Sequence, residues 1–133
     1  MENYLATIKQ INWLDKEALE AEVLFEIRGE AFWAFSYPCE FSAGETTLVS
    51  LSFLEEDISE TTFWHENNAQ KKVVIRSERD NLRYYCYGRL VGINPVTTDC
   101  GVLTFSNGDW INDASVIGQY VYFVISRLDV LKA

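Results

Sequence analysis

Ala18-Leu19-Glu20-Ala21-Glu22-Val23-Leu24-Phe25-Glu26-Ile27-Arg28 alternates apolar and polar side chains from Leu19 onward, with a single break at Leu24. In an extended strand successive side chains leave opposite faces, so Leu19, Ala21, Val23, Phe25 and Ile27 are expected to enter a core together. Glu20, Glu22, Glu26 and Arg28 then face water. A half-buried antiparallel strand has this period-two rhythm, whereas a helix would spread the apolar residues around its whole circumference. The stretch therefore decides the fold class, and it specifies no chemistry.

Toward the N-terminus, Tyr4 to Trp13 reads as a first strand, with Leu5, Ile11 and Trp13 on one parity and Ala6 and Ile8 on the other. Asp15 to Glu17 supplies the turn into the strand at 18–28. Gly29 tolerates positive φ, so a tight hairpin or a bulge fits before a third strand at 31–36. Tyr37-Pro38 ends that strand, because proline cannot donate to a ladder. After a turn at 43–45, Val49, Leu51 and Phe53 alternate with Ser50 and Ser52 in a strand from Thr46 to Leu54, closed by Glu55-Glu56-Asp57.

The rhythm lapses over 58–70. There Ser59 or Thr61 is placed to cap a short helix carrying Phe63, Trp64 and Glu66, which Asn67-Asn68 would fray. Strands resume at 72–77 and 82–93, joined by Glu78-Arg79-Asp80-Asn81. Asn94-Pro95-Val96-Thr97 is a turn signal, and Asp99 to Phe105 is expected to pair back as a hairpin arm. Residues 106–115 read as an irregular loop around Trp110 and Ile111. In the last strand, at about 119–130, Val121, Phe123 and Ile125 hold one parity and Leu128 and Val130 the other, which calls for a bulge or bend near Ser126-Arg127.

Six to eight short strands with at most one short helix near 60–68, and no linker or repeat, make an all-β single domain over 1–133. The architecture expected is a small antiparallel barrel or a compact sandwich. Long, bent strands favour the barrel, which in general look resembles an OB-type barrel; that likeness carries no function. A chain of this length buries about 65–70% of its unfolded surface, enough for a core without metal or disulfide. Hydrophobic and charged contents of 48% and 23% are those of a globular protein.

The net charge is −9 and unevenly distributed. Residues 1–66 hold 14 Asp/Glu against Lys9, Lys16 and Arg28, whereas residues 71–89 hold six Lys/Arg against Glu78 and Asp80. Nucleic-acid binding is disfavoured by this balance, since phosphate backbones require clustered cations. An anionic surface instead steers basic partners. The first expectation is thus a non-enzymatic acidic protein-binding domain, an immunity-type inhibitor or adaptor docking on a basic partner through Glu20, Glu22, Glu26, Glu55, Glu56 and Asp57. The competing explanation for the same charge is solubility alone.

Arg83-Tyr84-Tyr85-Cys86-Tyr87-Gly88-Arg89 carries the alternative. On a strand, Arg83, Tyr85, Tyr87 and Arg89 share one face, where tyrosines between guanidinium groups can stack single-stranded bases, with Trp64 and Trp110 as further surface aromatics. The bland reading of that face is a sheet surface whose tyrosines pack under arginine stems. Trp33, Trp64 and Trp110 would also suit the rim of a ligand mouth, which leaves a small-ligand barrel, or a hydrolase with an unrecognised acidic dyad, as a third reading.

No enzyme is expected. His65 is the only histidine, with no nucleophile beside it in sequence. Cys39, Cys86 and Cys100 lack CxxC spacing and read as small buried hydrophobes, so neither metal nor cofactor is expected. Glu55-Glu56-Asp57 with Glu60 lacks the alternation and glycine of a calcium loop. GxGxxG, GxxxxGK[ST] and GxSxG do not occur. Free thiols and an opening Met1-Glu2-Asn3-Tyr4 without basic or apolar regions point to the cytoplasm, and no run is apolar enough to span a membrane. A monomer or homodimer is expected, because the first and last strands carry little that guards their edges.

Overall fold

A computed structural model of the chain describes residues 2–133. The protein is all-β and mostly antiparallel, with nine strands among the described residues: β1 (Glu2–Asp15), β2 (Glu20–Ile27), β3 (Glu30–Ser36), β4 (Thr46–Glu55), β5 (Val73–Arg76), β6 (Tyr84–Ile93), β7 (Val96–Asp99), β8 (Thr104–Ser106) and β9 (Tyr120–Lys132). One six-residue helix, α1 (Glu60–His65), lies where the rhythm lapses, and a 3-10 turn follows at Ala114–Val116. The strands fall into two compact units, the first comprising the residues up to Leu54, Arg76–Arg83 and Ser126–Ala133, the second Glu55–Ile75 and Tyr84–Ile125.

In the first unit the alternation of β2 works as the sequence implies: Ala21, Val23, Phe25 and Ile27 are buried, and Glu20, Glu22, Leu24 and Glu26 lie on the outer face. Leu19 departs from the pattern. It sits at φ 60° in the turn and is 40% exposed, because the chain reverses one residue later than its apolar parity suggests. Arg28-Gly29, both at positive φ, form a two-residue hairpin that sets Ile27 opposite Glu30, so Gly29 serves a tight turn. A register shift between Ile8 and Gln10 in β1 reconciles its two apolar parities: Ile8 faces Phe25 and Ile11 faces Val23. Leu5, left on the outer parity, is 63% exposed opposite Leu48.

β1 pairs with β2 and β4, β2 with β3, and β4 with β9. β3 then meets β9 in parallel at Phe35 and Asp129, so the pairings of this unit return on themselves. Arg127 closes the seam. Its Nε and Nη2 donate to Asp129 at 2.7 and 2.9 Å while the guanidinium lies 4.6 Å from the Phe35 ring. The burial pattern of β9 switches parity at Ser126-Arg127, as the sequence implies.

In the second unit β6 lies between β9 and β7, with β8 beyond β7 and β5 beside β6. The hairpin after β6 is tighter than expected. Ile93 faces Val96 across Asn94-Pro95, so the returning arm is Val96–Asp99, and the predicted arm at 99–105 breaks at Cys100–Leu103, leaving β8 as a separate strand that pairs with β7. Phe63, Tyr84, Leu90, Leu103 and Val121 are among its largest buried side chains. Among the described residues no helix is long and apolar enough to cross a membrane.

Candidate functional site

The second unit carries two open grooves, one acidic and one lined by uncharged residues. The first, about 350 Å³, is lined by Glu55, Glu56, Asp57, Ile58, Glu60 and Trp110. Its acidic wall follows from the strand end: β4 stops at Glu55, and residues 56–59 form no regular element before α1 begins at Glu60. The Glu56 amide donates to the Val124 carbonyl at 3.0 Å, which anchors this wall to β9.

The opposite wall is the 106–111 loop. It is pinned by Asn107 N–H to the Val96 carbonyl at 2.8 Å and by Val96 N–H to the Gly108 carbonyl at 2.7 Å. The buried Asn107 side chain then joins the walls, its Nδ2 donating to Glu55 Oε2 at 2.7 Å. Trp110 is seated by Phe63, whose ring meets it edge-on at 4.9 Å and Trp64 at 4.8 Å. Trp110 Nε1 and Asn107 Oδ1 are buried without a partner. Four of the six lining residues are carboxylates and none is a lysine or arginine. Among the described residues no three His, Cys, Asp or Glu side chains converge closely enough to hold a metal ion.

The second groove, about 400 Å³, is lined by Trp64, Asn67, Asn68, Gln70, Gly118, Gln119 and Tyr120. Asn67 is its fixed point. Rather than fraying α1, this residue is 5% exposed and ties three segments. Its Nδ2 donates to the carbonyls of Lys71, Gly88 and Val121 at 2.9, 3.3 and 3.2 Å, and its Oδ1 accepts from Lys71 N–H at 2.8 Å.

Along β6, Tyr85, Tyr87 and Arg89 do share one face, and the register adds Val124, Tyr122 and Tyr120 of β9 directly opposite them. Tyr87 and Tyr122 have ring centroids 4.9 Å apart, and Lys71 Nζ lies 5.3 Å from the Tyr87 centroid. Burial, with the nearby Glu66 carboxylate, pushes the Tyr87 phenol above its ordinary value. Of the basic stretch, Lys71 and Arg89 reach this face. Lys72 is paired with Asp99 at 2.8 Å, Arg89 Nε donates to the Gly118 carbonyl, and Arg76, Arg79 and Arg83 belong to the first unit.

The six acidic residues read from the sequence thus divide between the units. Glu55, Glu56 and Asp57 line the acidic groove, where they are joined by Glu60 and by Trp110, which the sequence had placed with the aromatic alternative. Glu20, Glu22 and Glu26 lie on the outer face of β2, where Leu24 faces Trp33, and Lys9 approaches Glu26 at 3.9 Å. Sequence reasoning missed Asn107, Asn67, Tyr120 and Tyr122. Only the alternation of β9 hinted at the last two, since it puts them on the parity opposite Val121 and Phe123. Of the four tryptophans the most exposed is Trp13, at 37%, just before the turn from β1 into β2.

His65 is exposed on the last turn of α1. Cys39, Cys86 and Cys100 are free and buried. Burial pushes the Cys86 and Cys100 thiols well above the ordinary thiol range, and the Asp99 carboxylate adds to the effect at Cys100. Comparison of the chain with family models, with curated proteins and with solved structures finds no match.

Proposed function

We propose that this protein is a non-enzymatic binding domain that takes a lysine or arginine side chain of a partner protein into the groove lined by Glu55, Glu56, Asp57, Glu60 and Trp110, acting as an inhibitor or adaptor. The observation that carries this reading is the meeting of four carboxylates with an indole in one concave site without a lining cation. Carboxylates held close together repel by about 1 kcal/mol per pair at 4 Å in water, and an entering cation relieves that repulsion. The Trp110 face adds a cation–π term of about 0.5–2 kcal/mol. The overall charge of −9 favours encounter with a basic partner.

The non-enzymatic part of the reading rests on the exposed His65 and on thiols that are buried and hard to ionise, which do not make a nucleophile with its base. The pairings of the first unit run in the cycle β1-β2-β3-β9-β4, a barrel-like ring that leaves the function to the site.

The test is fluorescence anisotropy with a labelled lysine- and arginine-rich peptide, read alongside total tryptophan emission of the parent and of Trp110→Phe, at about 50 mM and about 300 mM salt. Binding should weaken as salt rises and should fall about tenfold or more when Asp57 and Glu60 are both changed to Lys. Reversal of Glu20, Glu22 and Glu26 in the first unit should leave most of it. Binding that survives the groove reversals and disappears with those on β2 would move the site to the other unit.

A further inference from the structure

The second groove differs from the first in carrying no acidic or basic lining residue. Its walls are two aromatic rings, Trp64 and Tyr120, and three primary amides, Asn68, Gln70 and Gln119. Each amide presents two N–H donors and a carbonyl acceptor side by side. From this arrangement we infer a binding site for a neutral oligosaccharide.

The chemistry selects that ligand class by elimination. A phosphate or nucleotide needs clustered cations, whereas the single one beside this lining, Arg89, already donates through Nε to the Gly118 carbonyl at 3.3 Å. An apolar ligand needs an apolar wall, but three of the five working side chains are amides. A chain of sugar rings offers hydroxyls that donate and accept in alternation, which amides match, and flat C–H faces that lie against aromatic rings. Ligand sites of this kind combine aromatic walls with a few placed polar groups.

The groove is also held in shape before any ligand arrives. Buried Asn67 fixes the floor through the four hydrogen bonds already described. On one side Gln70 N–H donates to the Asn67 carbonyl at 3.3 Å. On the other, Gly118 N–H donates to the Leu90 carbonyl at 2.7 Å and Gln119 N–H to that of Val116 at 3.1 Å, while the Gln119 carbonyl accepts from Leu90 N–H at 2.8 Å. Trp64 is steadied by its edge-on contact with Phe63. A preformed site loses less freedom on binding than a loose one.

The site and its ligand are independent of the acidic groove and its basic partner. The test is a nitrogen-15 correlation spectrum of the whole chain titrated with maltohexaose, cellohexaose and chitohexaose. At least one should move the side-chain amide signals of Asn68, Gln70 and Gln119 together with the Trp64 indole signal, saturating with a Kd of about 1 mM or below. Gln119→Ala and Gln70→Ala, both at exposed positions, should each weaken that binding by about tenfold or less. The spectra themselves report that the variants are folded. Asp57→Lys with Glu60→Lys should leave the titration unchanged.

No movement with any of the three saccharides overturns the inference, as does movement confined to other residues. Movement of the same signals by an eight-residue oligothymidine at about 50 mM salt, without response to sugar, overturns it in favour of base stacking.

Discussion

Gly88 is the position where the fold of the second unit is most sharply dependent on one hydrogen atom. A Cβ there would come within 2.5 Å of the Asp99 carbonyl oxygen, 2.6 Å of Thr98 Cγ2 and 2.8 Å of Cys100 Sγ. The first of these atoms belongs to the β7 backbone, so relief requires β7 to move away from β6, against the pairing of Arg89 with Asp99. Overpacking of this kind costs typically 1–3 kcal/mol, and three contacts below 3.0 Å place Gly88→Ala near the upper end, at about 3 kcal/mol. The φ at Gly88 is one that alanine adopts, so the loss of glycine's unfolded-state freedom returns about 0.4–1 kcal/mol.

The net destabilisation is then about 2 kcal/mol, or a fall in Tm of roughly 8 °C for a chain of this size. Gly92→Ala is the matched control on the same strand, because its added Cβ meets nothing closer than 3.7 Å. That variant should match the parent or gain up to about 1 kcal/mol. Thermal unfolding followed by circular dichroism and by tryptophan fluorescence measures both. Adding Cys100→Ala to Gly88→Ala removes the sulfur contact and leaves the carbonyl, so it should not restore stability. A Gly88→Ala protein melting within about 2 °C of the parent, or full rescue by the Cys100 change, would refute the assignment of the cost to a backbone clash.

Two further outcomes follow from the ionisable groups. The Lys72 ammonium, donating to Asp99 Oδ2 at 2.8 Å, holds the Asp99 carboxyl below its ordinary value, with help from the Gly101 amide. A depressed folded-state pKa contributes stability that is present above the unfolded value of about 3.9 and is lost as pH falls through the folded value. The stability gap between the parent and Lys72→Met should therefore be constant from about pH 6 to 5 and shrink toward pH 3, and a urea midpoint gap that does not change over that range contradicts the pairing. Cys86 and Cys100, buried and pushed upward in pKa, should react with a thiol reagent only on unfolding, and a stoichiometric burst in native buffer would contradict their burial.

What the sequence could convey follows from how each feature is specified. Burial on one face is written into a single strand, so the alternation of Ala21, Val23, Phe25 and Ile27 and the parity switch at Ser126-Arg127 are both visible without a partner strand. Register is a relation between two strands. β1 carries apolar residues on both parities, and only pairing with β2 shows that a shift between Ile8 and Gln10 brings Ile11 back to the inner face. The same limit hid the β6–β7 hairpin: Pro95 marks a turn, but the two-residue reversal that makes Val96 the first returning residue depends on Ile93 facing it.

The candidate sites were less legible for the same reason. Glu55 and Asn107 stand 52 residues apart, and nothing local to either predicts the 2.7 Å bond that joins the two walls of the acidic groove. Asn67 reads locally as a helix breaker, a property of asparagine near a helix end. Its role instead comes from three carbonyls on Lys71, Gly88 and Val121, of which two lie 21 and 54 residues away. Both grooves therefore owe their shape to buried side-chain amides that bridge distant segments. Replacing Asn67 or Asn107 with an apolar residue of similar size should loosen one groove and spare the other, a selectivity that charge patterning along the chain would not produce.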